Sequence, residues 1–437
     1  MIGSWNFSDI LGLNDRYFSY TRQNHKRARR RADDKLITKK MLTKAKVPHP
    51  RLLGVIKNRK GLDTFEWNKL TGGVVIKPVK GFGGQGILIL RKSIKEVNKF
   101  FLTDGKTISL DQIKVHAMDI IEGRFSHNNL PDKVMIEERI FIHPKFKKLS
   151  AGGTPDVRII VYNRVPIMAM LRIPTEESEG KANLHMGAIG LGIDIATGIT
   201  TYGVYKNESI KRFPDSSKKI NGIFIPHWNK SLLMAVKAQM MSKLKYLSVD
   251  LLIDSEKGPV VLELNDQPGL SIQLANMAGL RKRLERVGGL KIDSAEKGVK
   301  IGKALFASEF ASRVKFDTVE RPVVSVFDQV ALRAYKGKRE TVKIKLDTGA
   351  YSTSIDRNLA EKMDLLNPKN IIMEKSFRSA LGEQMRQIVG VNFLLKGVRI
   401  KTVASVTNRT HLDYQMIIGR RDLKGFLIDP ISDEADQ

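Results

Sequence analysis

The chain has 437 residues, 42% of them hydrophobic, so it is globular rather than disordered and long enough to bury two or three cores. It has no cysteine, which excludes disulfides, Cys-ligated zinc, iron–sulfur clusters and thiol catalysis, and fits a reducing cytoplasm. A net charge of +29 favours anionic partners, whether nucleotides, acidic peptides, RNA or acidic membrane surfaces, without choosing among them.

Residues 1–33 read as a basic helical segment, and residues 1–60 hold sixteen Lys/Arg against four Asp/Glu. The N-terminus MIGSWNFSDILG lacks a signal-peptide pattern, and no apolar run approaches the ~18 residues of a membrane span, so a cytoplasmic protein without a transmembrane segment is expected. The run from His25 to Arg31 suits a solvated helix face. No helix-turn-helix, zinc-finger or aromatic RNA-binding signature accompanies it, so nucleic acid is not an expected partner.

Asp33-Asp34 then sit where a helix N-terminus prefers acids, ahead of a helix from Lys35 that stops before Val47-Pro48-His49-Pro50. A strand pattern, Val74 to Pro78, carries Lys77 at the end of a buried-looking run. It leads into the loop Lys80-Gly81-Phe82-Gly83-Gly84-Gln85-Gly86 and a second strand from Ile87. Strand, glycine loop, strand is a hairpin whose backbone N–H groups can approach phosphate, and it matches neither a P-loop nor a dinucleotide fold. An ordinary glycine-rich hairpin is the other reading.

Residues 91–133 are mixed, with a polar, turn-rich stretch from Gly123 to Asp132 that reads as flexible. Val134 to Ile140 reads as a strand running into Glu137 and Glu138. Asp156–Tyr162 and Val165–Arg172 form a hairpin around Asn163-Arg164, and a polar loop carries Lys181, Asn183 and His185, the last a loop histidine rather than a base. An amphipathic helix spans 231–246.

The stretch SVDLLIDSEKGPVVLELN, 248–265, follows as a β-hairpin about Ser255-Glu256-Lys257-Gly258. If Asp254 pairs with Pro259, Asp250 falls opposite Glu263, and Asn265 shares the face of Glu263. Opposed carboxylates repel unless a cation sits between them, and an oxygen-only set suits Mg²⁺. A solvated hairpin face with Asn265 as a helix cap fits these three residues equally well.

Taken in order, residues 34–285 resemble the ATP-grasp superfamily, most closely its RimK-related, glutamate-ligase-like and sugar-transfer-associated branch. The resemblance implies that Lys35 and Lys77 hold nucleotide phosphates, that Gly81, Gly83, Gly84 and Gly86 cover them, and that Glu137, Glu138 and Ile140 form the hinge at the adenine. It implies that Arg158, Arg172, Lys181 and Asn183 surround the γ-phosphate and acyl-phosphate, although each arginine also reads as a structural ion pair. It further implies ATP and Mg²⁺, two ions, with Asp250, Glu263 and Asn265 as metal ligands at spacings of 13 and 15. Such ligases usually carry an α/β domain before the first lysine, where about 33 residues stand here, so the carboxylate substrate stays open.

Residues 286–322 read as a basic connector, and 323–437 as β-rich. An apolar strand delivers Asp347-Thr348-Gly349, and Ile417-Ile418-Gly419-Arg420 follows near the end. This pair resembles the retropepsin-like domain associated with RimK-type ligases and often labelled "ATP-dependent zinc protease". With no H-E-x-x-H, no cysteine and His411 as the region's only histidine, a water-activating Asp347 is the better expectation than zinc. One Asp-Thr-Gly implies a second copy through a homodimer; an inactive β-domain is the other reading.

The expected fold is therefore α+β, an ATP-grasp fold followed by a small all-β retropepsin-like domain. The expected function is ATP-dependent amide formation between a carboxylate and an amine, adding glutamate or a similar amino acid to an acidic peptide or protein that the second domain trims. The alternatives are a ligase acting on a sugar or small metabolite, and a nucleotide-regulated binding protein for an acidic polymer.

Overall fold

The computed structural model describes residues 7–70, 73–81, 84–94, 99–102, 105–150, 153–214, 216–307, 322–379 and 382–430. Contacts divide the chain into two units, Met1–Gly302 and Lys303–Gln437.

In the first unit, Asp34 starts the helix Lys35–Lys44 by accepting the N–H groups of Leu36 and Ile37 at 2.9 and 3.0 Å. Strands β1 (Leu52–Ile56), β2 (Val74–Pro78), β3 (Leu88–Ile94), β4 (Lys99–Leu102), β5 (Thr107–Ser109) and β6 (Val134–Glu138) form an antiparallel sheet in the order β1-β6-β2-β3-β4-β5. The helix Leu110–Ile121 is set by a capping box, in which Ser109 accepts from Gln112 N and Gln112 accepts from Ser109 N. Its Ile113, Ala117 and Ile120 close the core over Ile76, Leu90 and Ile136. The stretch Gly123–Asp132, read as flexible, is pinned by hydrogen bonds. Ser126 donates to Gly123 O at 3.0 Å, and the buried Asp132 accepts Lys80 N at 2.7 Å.

The second sheet runs β11-β10-β9-β8-β7-β12-β13, all antiparallel. Its strands are β7 (Asp156–Tyr162), β8 (Val165–Ile173), β9 (Ile189–Ile193), β10 (Thr200–Tyr205), β11 (Glu208–Ile210), β12 (Tyr246–Asp254) and β13 (Gly258–Asn265). Asn163 and Arg164 both take positive φ, 47° and 63°, as the two-residue β7–β8 hairpin requires. Every residue of β7, β8 and β12 is buried, so these strands read as apolar runs rather than alternations. The amphipathic helix spans Trp228–Ser242 rather than 231–246. Lys243 turns left-handed at φ 60°, and Tyr246 already begins β12.

The β12–β13 register departs from the expectation at the turn and rejoins it at the acids. Asp254 pairs with Gly258, not Pro259, because its Oδ1 accepts the N–H groups of Glu256 and Lys257 and closes a three-residue loop. Gly258 completes that loop at φ 74°. A bulge between Asp250 and Leu251 then adds one residue on β13, and Asp250 lies opposite Glu263 after all.

The second unit is β-rich. Its strands are β14 (Val323–Ser325), β15 (Phe327–Arg333), β16 (Arg339–Asp347), β17 (Ser354–Asp356), β18 (Ile371–Ser379), β19 (Gly382–Leu395), β20 (Val398–Thr407), β21 (Met416–Gly419) and β22 (Leu427–Asp429), and β16 alternates buried Val342, Ile344 and Leu346 with exposed neighbours. Seven of them form a sheet ordered β15-β16-β21-β17-β20-β19-β18, and β15 pairs back onto β19 to close a barrel. Val330, Ile344, Ile355, Phe393, Ala404 and Ile418 fill it.

Candidate functional site

Two buried lysines, a half-buried third and one buried glutamate form the first part of the site. Lys77 is the last residue but one of β2, Glu137 lies opposite Val75 on the neighbouring β6, and the Lys77 and Glu137 side chains form an ion pair. Lys39, one turn along the helix from Lys35, holds the other oxygen of Glu137 at 2.8 Å and donates to Pro50 O. Burial would raise the Glu137 carboxyl, but Lys77 and Lys39 outweigh it and hold it below the usual range. Lys35 donates to Gly81 O at 2.9 Å and Val79 O at 3.4 Å, so it sits under the start of the glycine loop. Burial lowers its pKa, and Glu263, 228 residues on, is the strongest charge acting to raise it again. Three ammonium groups, Lys35, Lys39 and Lys77, are thus gathered at the start of the glycine loop, with Glu137, Glu263 and Asp132 as the carboxylates around them.

Of the loop glycines, Gly81 makes a lone β-bridge with Ser126, and Gly84 and Gly86 take positive φ, 76° and 69°. Gly83 lies outside the described residues. A Cβ at Gly84 would stand 3.9 Å from Lys181 Cγ, so the glycine loop and the loop of Lys181 approach one another. Lys181 pairs with Glu179 at 2.8 Å, and Asn183 caps the short turn Leu184–Met186 by accepting His185 N. His185 is exposed.

The hinge acids divide. Glu137 faces the lysines, whereas Glu138 accepts Arg51 N at 2.9 Å and pairs with Lys257 at 2.7 Å. Ile140 packs on Leu252, Val260 and Leu262, a small apolar cluster beside the hinge.

The second part of the site lies across β7, β8 and β12. Arg158 grips Asp250 with Nε at 2.8 Å and Nη2 at 2.6 Å; Arg172 reaches Asp250 with Nη2 at 2.7 Å and Asp156 with Nε at 2.6 Å. Both arginines thus stand in buried ion pairs, and each keeps Nη1 without a partner among the described residues. Burial would raise Asp250, but Arg158 and Arg172 hold it down at about 2. Burial pushes Asp156 up to about 6, since it has Arg172 alone and feels the charge of Asp250. Glu263 is close enough to act on Arg172, is half-buried, and makes no hydrogen bond or ion pair with a described residue. Asn265 Oδ1 accepts Gln267 N at 2.8 Å.

These donors fit Mg²⁺ unevenly. Glu263 offers an unengaged carboxylate and Asn265 a carbonyl oxygen, whereas Asp250 already accepts three N–H bonds from two guanidinium groups. An ion that takes one or two protein oxygens and fills the rest with water or phosphate can be held by the first two. No group of three or more His, Cys, Asp or Glu is placed to hold a metal among the described residues.

Sequence reasoning missed Lys39 and Asp132. Lys39 carried a readable signal, since four residues along a helix puts it on the face of Lys35. Asp132 lay in a stretch read as flexible.

In the second unit, Asp347 ends β16 and accepts the N–H groups of Gly349 and Ala350, both at 2.9 Å. Strand β21 lies parallel to β16 and sets Gly419 beside Asp347. The two motifs singled out in the sequence are therefore neighbours in the barrel wall.

Residues 13–289, more than half of the chain, match the family described as sugar-transfer associated ATP-grasp. Among solved structures, the ATP-grasp ligase PsnB complexed with minimal precursor is similar at 17% identity over 61% of this chain and 63% of that chain, with a TM-score of 0.33. The chain thus spans less than two thirds of that ligase's length. D-alanine–D-alanine ligase from Bacillus anthracis complexed with ATP is similar at 15% identity over 66% and 69%, with a TM-score of 0.32. A Legionella pneumophila protein of unknown function is similar at 18% identity over 25% of this chain and 94% of that chain, with a TM-score of 0.18. No curated protein matches the sequence.

Proposed function

Because the chain belongs to the sugar-transfer associated ATP-grasp family, we propose that its first unit is an ATP-dependent carboxylate–amine ligase working through an acyl-phosphate. ATP-grasp enzymes use ATP and Mg²⁺ and act as ligases; the residue roles and substrate class that follow are our reading. The observation that carries it is the convergence of Lys35, Lys77 and Glu263, from a helix, one sheet and the other sheet, on one region at the start of the glycine loop.

In this reading Lys35 and Lys77 hold the α- and β-phosphates, with Glu137 and Lys39 fixing the Lys77 ammonium. Gly81, Gly84 and Gly86 lie over the phosphates, and the adenine sits by Ile140 on the apolar cluster with Leu252, Val260 and Leu262. The free Nη1 groups of Arg158 and Arg172, with Lys181 and Asn183, meet the transferring oxygens. Asp250 and Asp156 aim the two guanidinium groups, which costs no reorganisation during transfer. Glu263 and Asn265 hold Mg²⁺, which supplies charge neutralisation for the phosphates when bound. The substrate carboxylate takes the γ-phosphoryl group, releasing ADP; an amine then displaces phosphate and forms the amide. A positive surface suits an acidic acceptor such as a glutamate-bearing peptide. Release of ADP and phosphate should require both Mg²⁺ and a carboxylate, and Glu263→Ala should lower it at least a hundredfold. Turnover without a carboxylate would refute the reading.

The second unit supports an aspartic-peptidase reading through the Asp347–Gly419 neighbourhood. Asp347 would activate water with a second carboxylate supplied by another copy of the chain, the two sharing one proton. Cleavage of the ligase product should stop in Asp347→Asn, and a wild-type dimer that leaves the product intact would end this idea.

A further inference from the structure

The segment before the first lysine has two faces, and the ligase reading uses neither. One is clamped to the first unit. Leu11 and Tyr20 are buried, the Tyr20 ring meets Tyr162 edge-on at 5.4 Å, and Asn24 bonds to the backbone of Lys245 and Tyr246. Arg16 donates to Pro268 O at 2.9 Å, and Arg29 pairs with Asp266. The other face is open. Leu13 is 65% exposed, Tyr17 42% and Phe18 62%, with the two rings in edge contact at 5.3 Å. Stretches this apolar are rarely left in water without a use.

The charge around this face selects what covers it. From Leu13 to Asp33 there are seven Lys/Arg against Asp15 and Asp33, and Asp15 is paired with Arg281 at 3.1 Å. Arg22, Lys26, Arg27 and Arg30 are exposed, and the Arg22 guanidinium stands 5.8 Å from the Phe18 ring centroid. We propose that this face docks the protein on an anionic phospholipid surface, with Leu13, Tyr17 and Phe18 entering the headgroup region and the basic side chains meeting lipid phosphates. A stacked nucleobase fits less well, because the aromatic pair is edge-on and Arg22 covers Phe18. A protein core fits less well because Arg22 covers Phe18 and the helix Lys26–Asp33 that follows adds three more exposed cations. Attachment is peripheral, since no helix among the described residues is long and apolar enough to cross a membrane. The clamp residues Asp266 and Pro268 directly follow Asn265, so a docked surface would lie at the metal end of the nucleotide site. The docking itself does not depend on the ligase reading.

The test is sedimentation of the full chain with vesicles of phosphatidylcholine alone or with roughly a third phosphatidylglycerol, at about physiological ionic strength. Binding is expected to the anionic vesicles only. Arg27→Ala with Arg30→Ala should weaken it about fivefold for each arginine lost. Tyr17→Ser with Phe18→Ser, which keeps the charge and touches only exposed positions, should weaken it at least tenfold. In Phe18→Trp, brominated acyl chains should quench fluorescence beyond the level seen in the wild type. Equal binding to both vesicles, no binding, wild-type binding by the serine pair, or an unquenched Trp would each overturn the proposal. So would a preference for RNA or for self-association that the serine pair leaves unchanged.

Discussion

Lys39 shows what a single buried charge does in this fold. Its ammonium, Glu137 and Lys77 form a chain of contacts closed to water, and Glu137 is shared between the two lysines. Breaking a buried pair costs about 3–5 kcal/mol, and the loss of Lys39 falls at the low end because Glu137 keeps Lys77. Lys39→Met should therefore lower unfolding stability by about 3 kcal/mol, read by urea denaturation, and weaken binding of a non-hydrolysable ATP analogue. Adding Glu137→Gln should lower stability further, because the buried Lys77 ammonium then has no carboxylate. A Lys39→Met protein as stable as the wild type would show that the triad does not hold the site together. Lys35, Lys77 and Glu263 were legible as candidates because each ends a strand, starts a helix or follows a fixed spacing. Lys39 was readable only through its helical spacing from Lys35, whereas Asp132 and Asp156 depend on partners outside their own stretch, and nothing local to either announces them.

At the scale of elements, the seam of β7, β8 and β12 holds two carboxylates on two arginines. Asp250 has both arginines and stays ionised; Asp156 has one and keeps the proton at higher pH. The folded value of Asp156, about 6, exceeds its ordinary 3.8, so the folded chain holds a proton that the unfolded chain releases. Its contribution to stability is whole below pH 3.8 and is lost as pH rises towards 6. Asp250, at about 2, works the other way, and its contribution is lost as pH falls below 3.8. Asp156→Asn should therefore flatten the fall in stability between those two values of Asp156, measured by denaturation at several pH values. An unchanged slope would contradict the assignment of the proton. The hairpin that feeds this seam was legible from Asn163-Arg164 alone, a two-residue turn between apolar runs. The β12–β13 hairpin was legible as an element but not in register, because a side-chain cap at Asp254 and a bulge near Leu262 leave no pattern in composition. The error at the turn and the bulge cancelled, which is why Asp250 and Glu263 still meet.

At the scale of the molecule, the shift from mixed helix and strand to alternating strands after Pro322 marked a change of architecture, and a separate β-barrel stands there. The family's span, residues 13–289, reaches back into the basic segment that the sequence reading had set apart. That segment's buried side, Leu11, Tyr20 and Asn24, belongs to the first unit, and its periodicity is broken by short turns that conceal the fact. Length and charge alone could not show it. Substrate identity stays hidden for a different reason: the acceptor is recognised by loops and surface, where spacing carries little information. The central claim, that ATP activates a carboxylate here, has one direct test. The protein is incubated with ATP, Mg²⁺ and a pool of amino acids and peptides whose carboxylates carry ¹⁸O, and the released phosphate is weighed by mass spectrometry. An acyl-phosphate route transfers one ¹⁸O to each phosphate released with ADP; phosphate formed without label would show that ATP is hydrolysed by water and that no carboxylate is activated.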